Sequence, residues 1–177
     1  KVQTLRDIAI TGFTIHNTAA GTITVKIFEK SGDYDGFELD SAAWNLIHEE
    51  TLTGSGQGSP TALSNLDSPV VISGGATHSF YIRSTGGVRY TNGGTEGTLF
   101  VENTDLSFYE GKGVSGEFGG TFSPRVWNGI IQYGTVSSLS PPSPAPTPAP
   151  TPAPTPAPVD RKLLCYCLVH IILCSLC

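Results

Sequence analysis

Between Val2 and Tyr133 the chain places short runs of β-branched and aromatic residues between breaks of glycine, asparagine, aspartate and serine. Runs of that length suit strands and leave little room for helices, which need ten or more residues of unbroken pattern. An all-β fold follows. Alternation supports it: Ile23, Val25 and Ile27 fall on one face of a strand while Thr22, Thr24 and Lys26 fall on the other, and Phe80 and Ile82 oppose Ser79 and Tyr81. Strands are predicted over residues 5–16, 22–30, 44–53, 70–73, 78–84, 97–103, 105–110 and 126–133. One window, 41–50, has a helical alternative, because Ser41-Ala42-Ala43-Trp44 can start a short helix, but the following Thr51, Leu52 and Thr53 favour a strand. Gly74-Gly75, Gly86-Gly87 and Asn92-Gly93-Gly94 fall between predicted strands and read as turns.

Composition changes sharply along the chain. All 21 glycines precede position 135, ten of the 13 prolines lie between Pro141 and Pro158, and all four cysteines follow Lys162. Three segments are therefore expected: a β domain over 1–136, a Pro/Thr/Ala-rich stalk over 137–160, and an apolar, Cys-containing tail over 161–177. The first segment is long enough to bury a two-sheet core without disulfides, so an antiparallel β-sandwich of jelly-roll or Greek-key type is expected there. Its core candidates are Phe13, Phe28, Trp44, Phe80, Phe100, Phe108, Phe118, Phe122 and Trp127. Residue 5–16 would be a long first strand with an open edge available to a neighbouring subunit.

In the stalk, proline at every second position removes backbone donors and biases each preceding residue toward extension, which specifies polyproline II. At 3.1 Å per residue the segment from Pro141 to Pro158 would reach roughly 55 Å. Thr147, Thr151 and Thr155, with Ser143, are hydroxyls flanked by Pro and Ala, the composition of O-glycosylated stalks; an unmodified linker is the plainer alternative. No Asn-x-Ser/Thr acceptor occurs.

The tail from Leu163 is apolar but falls short of the roughly 20 residues that span a bilayer as a helix. It can be the start of a membrane or lipid-anchor signal, a strand docking on another subunit, or a chain end misplaced by gene prediction, so membrane contact stays open. Cys165-x-Cys167 and Cys174-x-x-Cys177, with His170 between them, superficially suggest metal, but the first pair is too tight for the usual zinc knuckle and no structural context supports one, so disulfides are the expectation if the tail is extracellular. No methionine occurs, so a processed form or a fragment is expected.

Chemistry-bearing motifs are sparse. His16, His48 and His78 fall in three different predicted strands and read as half-exposed strand residues; a metal site would have to be assembled by folding. Gly111-Lys112-Gly113-Val114-Ser115-Gly116 matches a dinucleotide-loop spacing but no helix pattern follows, so it reads as a loop. Asp33, Asp35 and Asp40, with Glu38, offer oxygen ligands at near-alternate positions; a solvated turn is preferred and calcium is the competing reading. No cofactor motif and no nucleophile elbow occur, and an enzyme is not expected. Eight Lys+Arg against 14 Asp+Glu before position 137 argue against a phosphate backbone, hence against nucleic acid as a partner.

The stretch Phe118-Gly-Gly-Thr-Phe-Ser-Pro-Arg-Val-Trp-Asn-Gly129, with Gly12-Phe13, Trp44, Ser79-Phe80-Tyr81-Ile82 and Arg89-Tyr90-Thr91-Asn92-Gly93 before it, resembles an uncharacterised β-rich module of surface and secreted proteins of bacteria and algae, including some that carry a PEP-CTERM sorting tail. The resemblance spans most of the first segment and implies an extracellular or cell-surface setting; the Pro-Glu-Pro motif of the bacterial form is missing. Physically, Arg125 of this motif can pair with Glu110 or Glu117, Trp127 can plug the core, and Asn128-Gly129 can bend the last strand.

The leading expectation is therefore a non-enzymatic extracellular structural glycoprotein, a self-associating subunit of a coat, appendage or filament. The alternative is a carbohydrate-binding module on a Pro/Thr linker, with a glycan contact drawn from Tyr34, Trp44, Tyr81, Tyr90 and Trp127, above all Trp127, Trp44 and Tyr90. Exposure of these rings separates the two.

Overall fold

The computed structural model describes residues 1–136 and the backbone of Arg161–Cys165. The stalk hydroxyls Ser143, Thr147, Thr151 and Thr155, and the tail beyond Cys165, lie outside the described residues. The strands are β1 (Val2–Thr4), β2 (Ile8–His16), β3 (Ala20–Ser31), β4 (Asn45–Ser55), β5 (Pro60–Ala62), β6 (Val70–Ile72), β7 (Thr77–Ser84), β8 (Tyr90–Asn92), β9 (Leu99–Glu102), β10 (Leu106–Tyr109), β11 (Gly111–Val114), β12 (Thr121–Trp127), β13 (Gly129–Thr135) and β14 (Arg161–Cys165). No α-helix occurs among the described residues. The 41–50 window resolves into a single 3-10 turn, Ser41–Ala43, after which Trp44 is already extended. Asp40 caps that turn by accepting the Ala42 N–H at 3.1 Å.

All the pairings are antiparallel. One sheet has the order β4-β3-β7-β1-β10-β9, a second has β14-β13-β2-β5 with β6 also on β2, and a third has β11-β12-β8. The main core lies between the first two. Val25 and Ile27 of β3 and Leu106 of β10 meet Ile10, Phe13 and Ile15 of β2 and Ile131 and Tyr133 of β13, all at 2 % exposure or less. A second, smaller cluster of Phe28, Tyr34 and Trp44, flanked by Tyr81 and Phe118, is separate from it.

Several sequence expectations need correction. The first predicted strand is not an edge: β2 is paired with β13 on one side and with β5 and β6 on the other. Its near-continuous apolar run reflects that central position. Residues Gly111–Val114 form β11 rather than a loop, because they pair with β12. Phe122 is not in the core but 53 % exposed, on a strand of the small third sheet. His78 is buried, not half-exposed, and bonds Glu29. The short strands β1, β5 and β8, three residues each, fall outside the predicted set. The last predicted strand is two: β12 and β13 are separated at Asn128, and each joins a different sheet.

Candidate functional site

The site arises where β1 gives out. β3 pairs with β7 from His78 to Ser84, whereas β1 pairs with it only at Thr77 and His78. Beyond that point one edge of β7 has no strand against it among the described residues, and the small β11-β12-β8 sheet lines the cavity opposite. The result is a cavity of about 720 Å³, with Lys1 and Val2 among its lining residues and Phe80 to Thr85 along one wall.

Tyr34, Trp44, Tyr81, Tyr90 and Trp127, the five rings singled out from the sequence, all line this one cavity. They differ in accessibility. Trp44 and Tyr34 are buried, and Trp44 Nε1 donates to the Phe37 carbonyl at 2.8 Å, so Trp44 is a structural wall. Tyr81 stacks on Phe118 with centroids 4.9 Å apart. Tyr90 is 52 % exposed and carries the Arg125 guanidinium 4.8 Å from its ring centroid. Trp127 meets Phe13 edge-on at 6.3 Å, yet its Nε1 is buried with no hydrogen-bond partner among the described residues. A buried donor left unmatched is costly, and no solvent-accessible surface remains on this atom.

Charged groups share the cavity. Lys112 Nζ lies 3.1 Å from Glu96 Oε1 and 3.2 Å from Asp35 Oδ1, and it also bonds Glu38. Asp35, Glu38 and Glu96 are the single group of three metal-ligand type side chains brought together among the described residues, and the Lys112 ammonium sits among them. The calcium candidates divide: Asp33 pairs with Lys1 at 2.5 Å and Asp40 caps the 3-10 turn, while Asp35 and Glu38 join the cluster. The hydrogen bond to Glu38, followed by those to Glu96 and Asp35, raises the Lys112 pKa above its ordinary value against the opposing effect of burial. Burial alone would raise Glu38 and Glu96, but hydrogen bonds, to Lys112 in both and also to Ser123 and Tyr34 for Glu96, bring both below the usual carboxylate value. Burial, then the Glu96 charge, pushes the Tyr34 phenol up.

The expected pairing of Arg125 with Glu110 or Glu117 is not made. Glu110 accepts the Gly94 and Thr95 N–H groups, and Glu117 faces Lys26 and Arg83. Arg125 instead donates to the Pro124 carbonyl at 2.8 Å, next to the cis Ser123–Pro124 peptide. Arg89 and Arg125 both line the cavity, and neither has a carboxylate partner among the described residues. The arginines were visible in the sequence, but nothing in their spacing said that both would line one cavity, with Arg125 over the Tyr90 ring. Comparison with protein-family models, with curated proteins and with solved structures found no match in any of the three.

Proposed function

We propose that residues 1–136 form a two-sheet sandwich of jelly-roll or Greek-key type that acts as a non-enzymatic, extracellular saccharide-binding head. The observation that carries this reading is the cavity itself, which Tyr90 and Trp127 line together with two arginines, Arg89 and Arg125, that have no carboxylate partner among the described residues. Aromatic faces suit the apolar faces of pyranose rings, and guanidinium groups with no carboxylate partner among the described residues suit a carboxylate or sulfate substituent. The ligand class is therefore an acidic oligosaccharide. Titration calorimetry with a uronic-acid oligosaccharide and a sulfated galactan fragment, beside a neutral glucan, tests this. Binding of an acidic sugar with a change in tryptophan fluorescence, lost in Arg125→Ala, is expected; a folded protein that binds none of the three overturns it.

A second reading, the structural subunit of a coat or filament on a glycosylated polyproline stalk, is favoured by a different observation. Strand β14 comes from beyond the stalk and pairs with β13. Negative-stain microscopy of native material decides it, and dispersed monomers in every condition would sink it. The resemblance to bacterial and algal surface modules suits either reading.

A further inference from the structure

We propose that β14 is an exchanged strand, so that Arg161–Cys165 of one copy completes the sheet of a second copy. The inference rests on the structural-subunit reading and is independent of the saccharide cavity.

The pairing is in register over five positions, from Gly129 opposite Cys165 to Tyr133 opposite Arg161. On its other side β13 is held by β2, so β14 is what covers its open edge. Paired strands lie about 4.8 Å apart. Arg161 must therefore return to within one strand spacing of Tyr133, the residue beside which the chain departs.

The connecting sequence opposes that return when both strands belong to one copy. From Pro141 to Pro158 it holds ten prolines and no glycine, and the extended form that they favour reaches roughly 55 Å. Only residues 136–140 and 159–160 flank it, and seven residues span at most about 25 Å. Were the proline segment to keep that extended form throughout, the flanks could not bridge the difference. Pairing within one chain thus requires the proline segment to fold back on itself against its own backbone preference, whereas pairing with a second copy leaves it straight. Exchange also adds no new chemistry: the same residues make the same ladder, and each copy both donates a strand and accepts one. Such a head-to-tail contact propagates, which gives the structural reading a specific filament contact with neighbouring heads set a stalk length apart.

Cross-linking of the full chain tests this. One tagged chain carries Gln132→Cys and a differently tagged one carries Lys162→Cys, positions that are register partners; the two are co-refolded, oxidised and compared with the unsubstituted chain, whose tail cysteines set the baseline. The expected product is a disulfide-linked pair bearing both tags, mapped by mass spectrometry to positions 132 and 162. A single chain carrying both substitutions should likewise link between copies. Linkage only within one chain overturns the inference, as does no linkage at these positions. As a second measurement, Leu163→Pro with Leu164→Pro removes two backbone donors from β14. Assemblies should fall to monomers with the β-sheet circular dichroism of the head kept, and assemblies of unchanged size overturn the exchange. Filaments seen by microscopy together with linkage only within one chain would leave the structural reading standing and remove this contact alone.

Discussion

A Cβ placed on Gly129 would lie 2.1 Å from Cζ2 of Trp127 and 2.6 Å from the Thr14 carbonyl oxygen. The indole therefore lies directly on the backbone of the residue that starts β13. This explains why Trp-Asn-Gly occurs as a unit: β12 leaves the small sheet at Trp127, the chain turns at Asn128, and only a residue without a side chain lets the ring enter the core. Gly129→Ala should destabilise the protein by about 1–3 kcal/mol, the usual cost of overpacking, and should shift the tryptophan emission. Denaturant unfolding followed by fluorescence measures both.

Phe13 is 1 % exposed and touches both Phe80 and Trp127, so it joins the two large sheets to the wall of the cavity. Phe13→Ala should cost about 3–5 kcal/mol, as large-to-small core changes of aromatic residues do. Equilibrium urea unfolding checks the value, and an unchanged midpoint would contradict the packing described.

Tyr133 is wholly buried and donates to Asp105 Oδ2 at 3.1 Å, while Asn103 donates to the phenol oxygen at 2.8 Å and Arg6 Nε lies 3.0 Å from Asp105 Oδ1. The contact ties β13 to the segment that leads into β10. Tyr133→Phe keeps the packing and removes one donor from a buried carboxylate, so a loss of about 1–3 kcal/mol is expected from thermal or chemical unfolding.

The carboxylates around Lys112 set a pH dependence. Glu38 and Glu96 have folded-state pKa values below the ordinary 4.5, so the stability they contribute is fully present above pH 4.5 and is lost as the pH falls through the depressed values. Lys112 acts at the opposite end: its raised value adds stability that is present below 10.5 and lost only at more alkaline pH. Glu38→Gln should lower the unfolding midpoint at pH 7 and flatten its fall on acidification. Equal acid sensitivity in variant and parent would refute the role assigned to this cluster.

Thr147, Thr151, Thr155 and Ser143 are expected to carry O-linked sugar in native material, or their neighbouring prolines to be hydroxylated and glycosylated. Intact-mass measurement reads this directly, since a bare polypeptide mass rules it out.

The strand pattern was legible where a strand is long and half-buried. Thr22 to Ile27 alternates cleanly because one face of β3 meets the core, and Phe80 and Ile82 mark β7 in the same way. It was not legible for β1, β5 and β8, since three residues carry no period and their pairing is decided by partners far away in sequence, as when Val2 faces Phe108. β11 was hidden because Gly-Lys-Gly-Val has no apolar alternation and is held extended by β12 alone. For the site, ring type nominated five aromatics that the structure places along one cavity, but their convergence depends on how early β1 ends, which no local pattern encodes. The wrong partner for Arg125 has a similar origin: a carboxylate nearby in sequence is not a carboxylate nearby in space, and Glu117 was taken by Lys26 and Arg83 from other strands.

The Lys112 ammonium joins three parts of the chain that have no backbone ladder in common, namely the acidic turn with Asp35 and Glu38, the loop carrying Glu96, and β11 itself. A divalent ion in that position would be an exchangeable component, bound or absent according to what the surroundings supply. A side chain is not. The clasp has an effective concentration set by the polypeptide and unaffected by dilution, so the wall of the cavity does not depend on the supply of a metal.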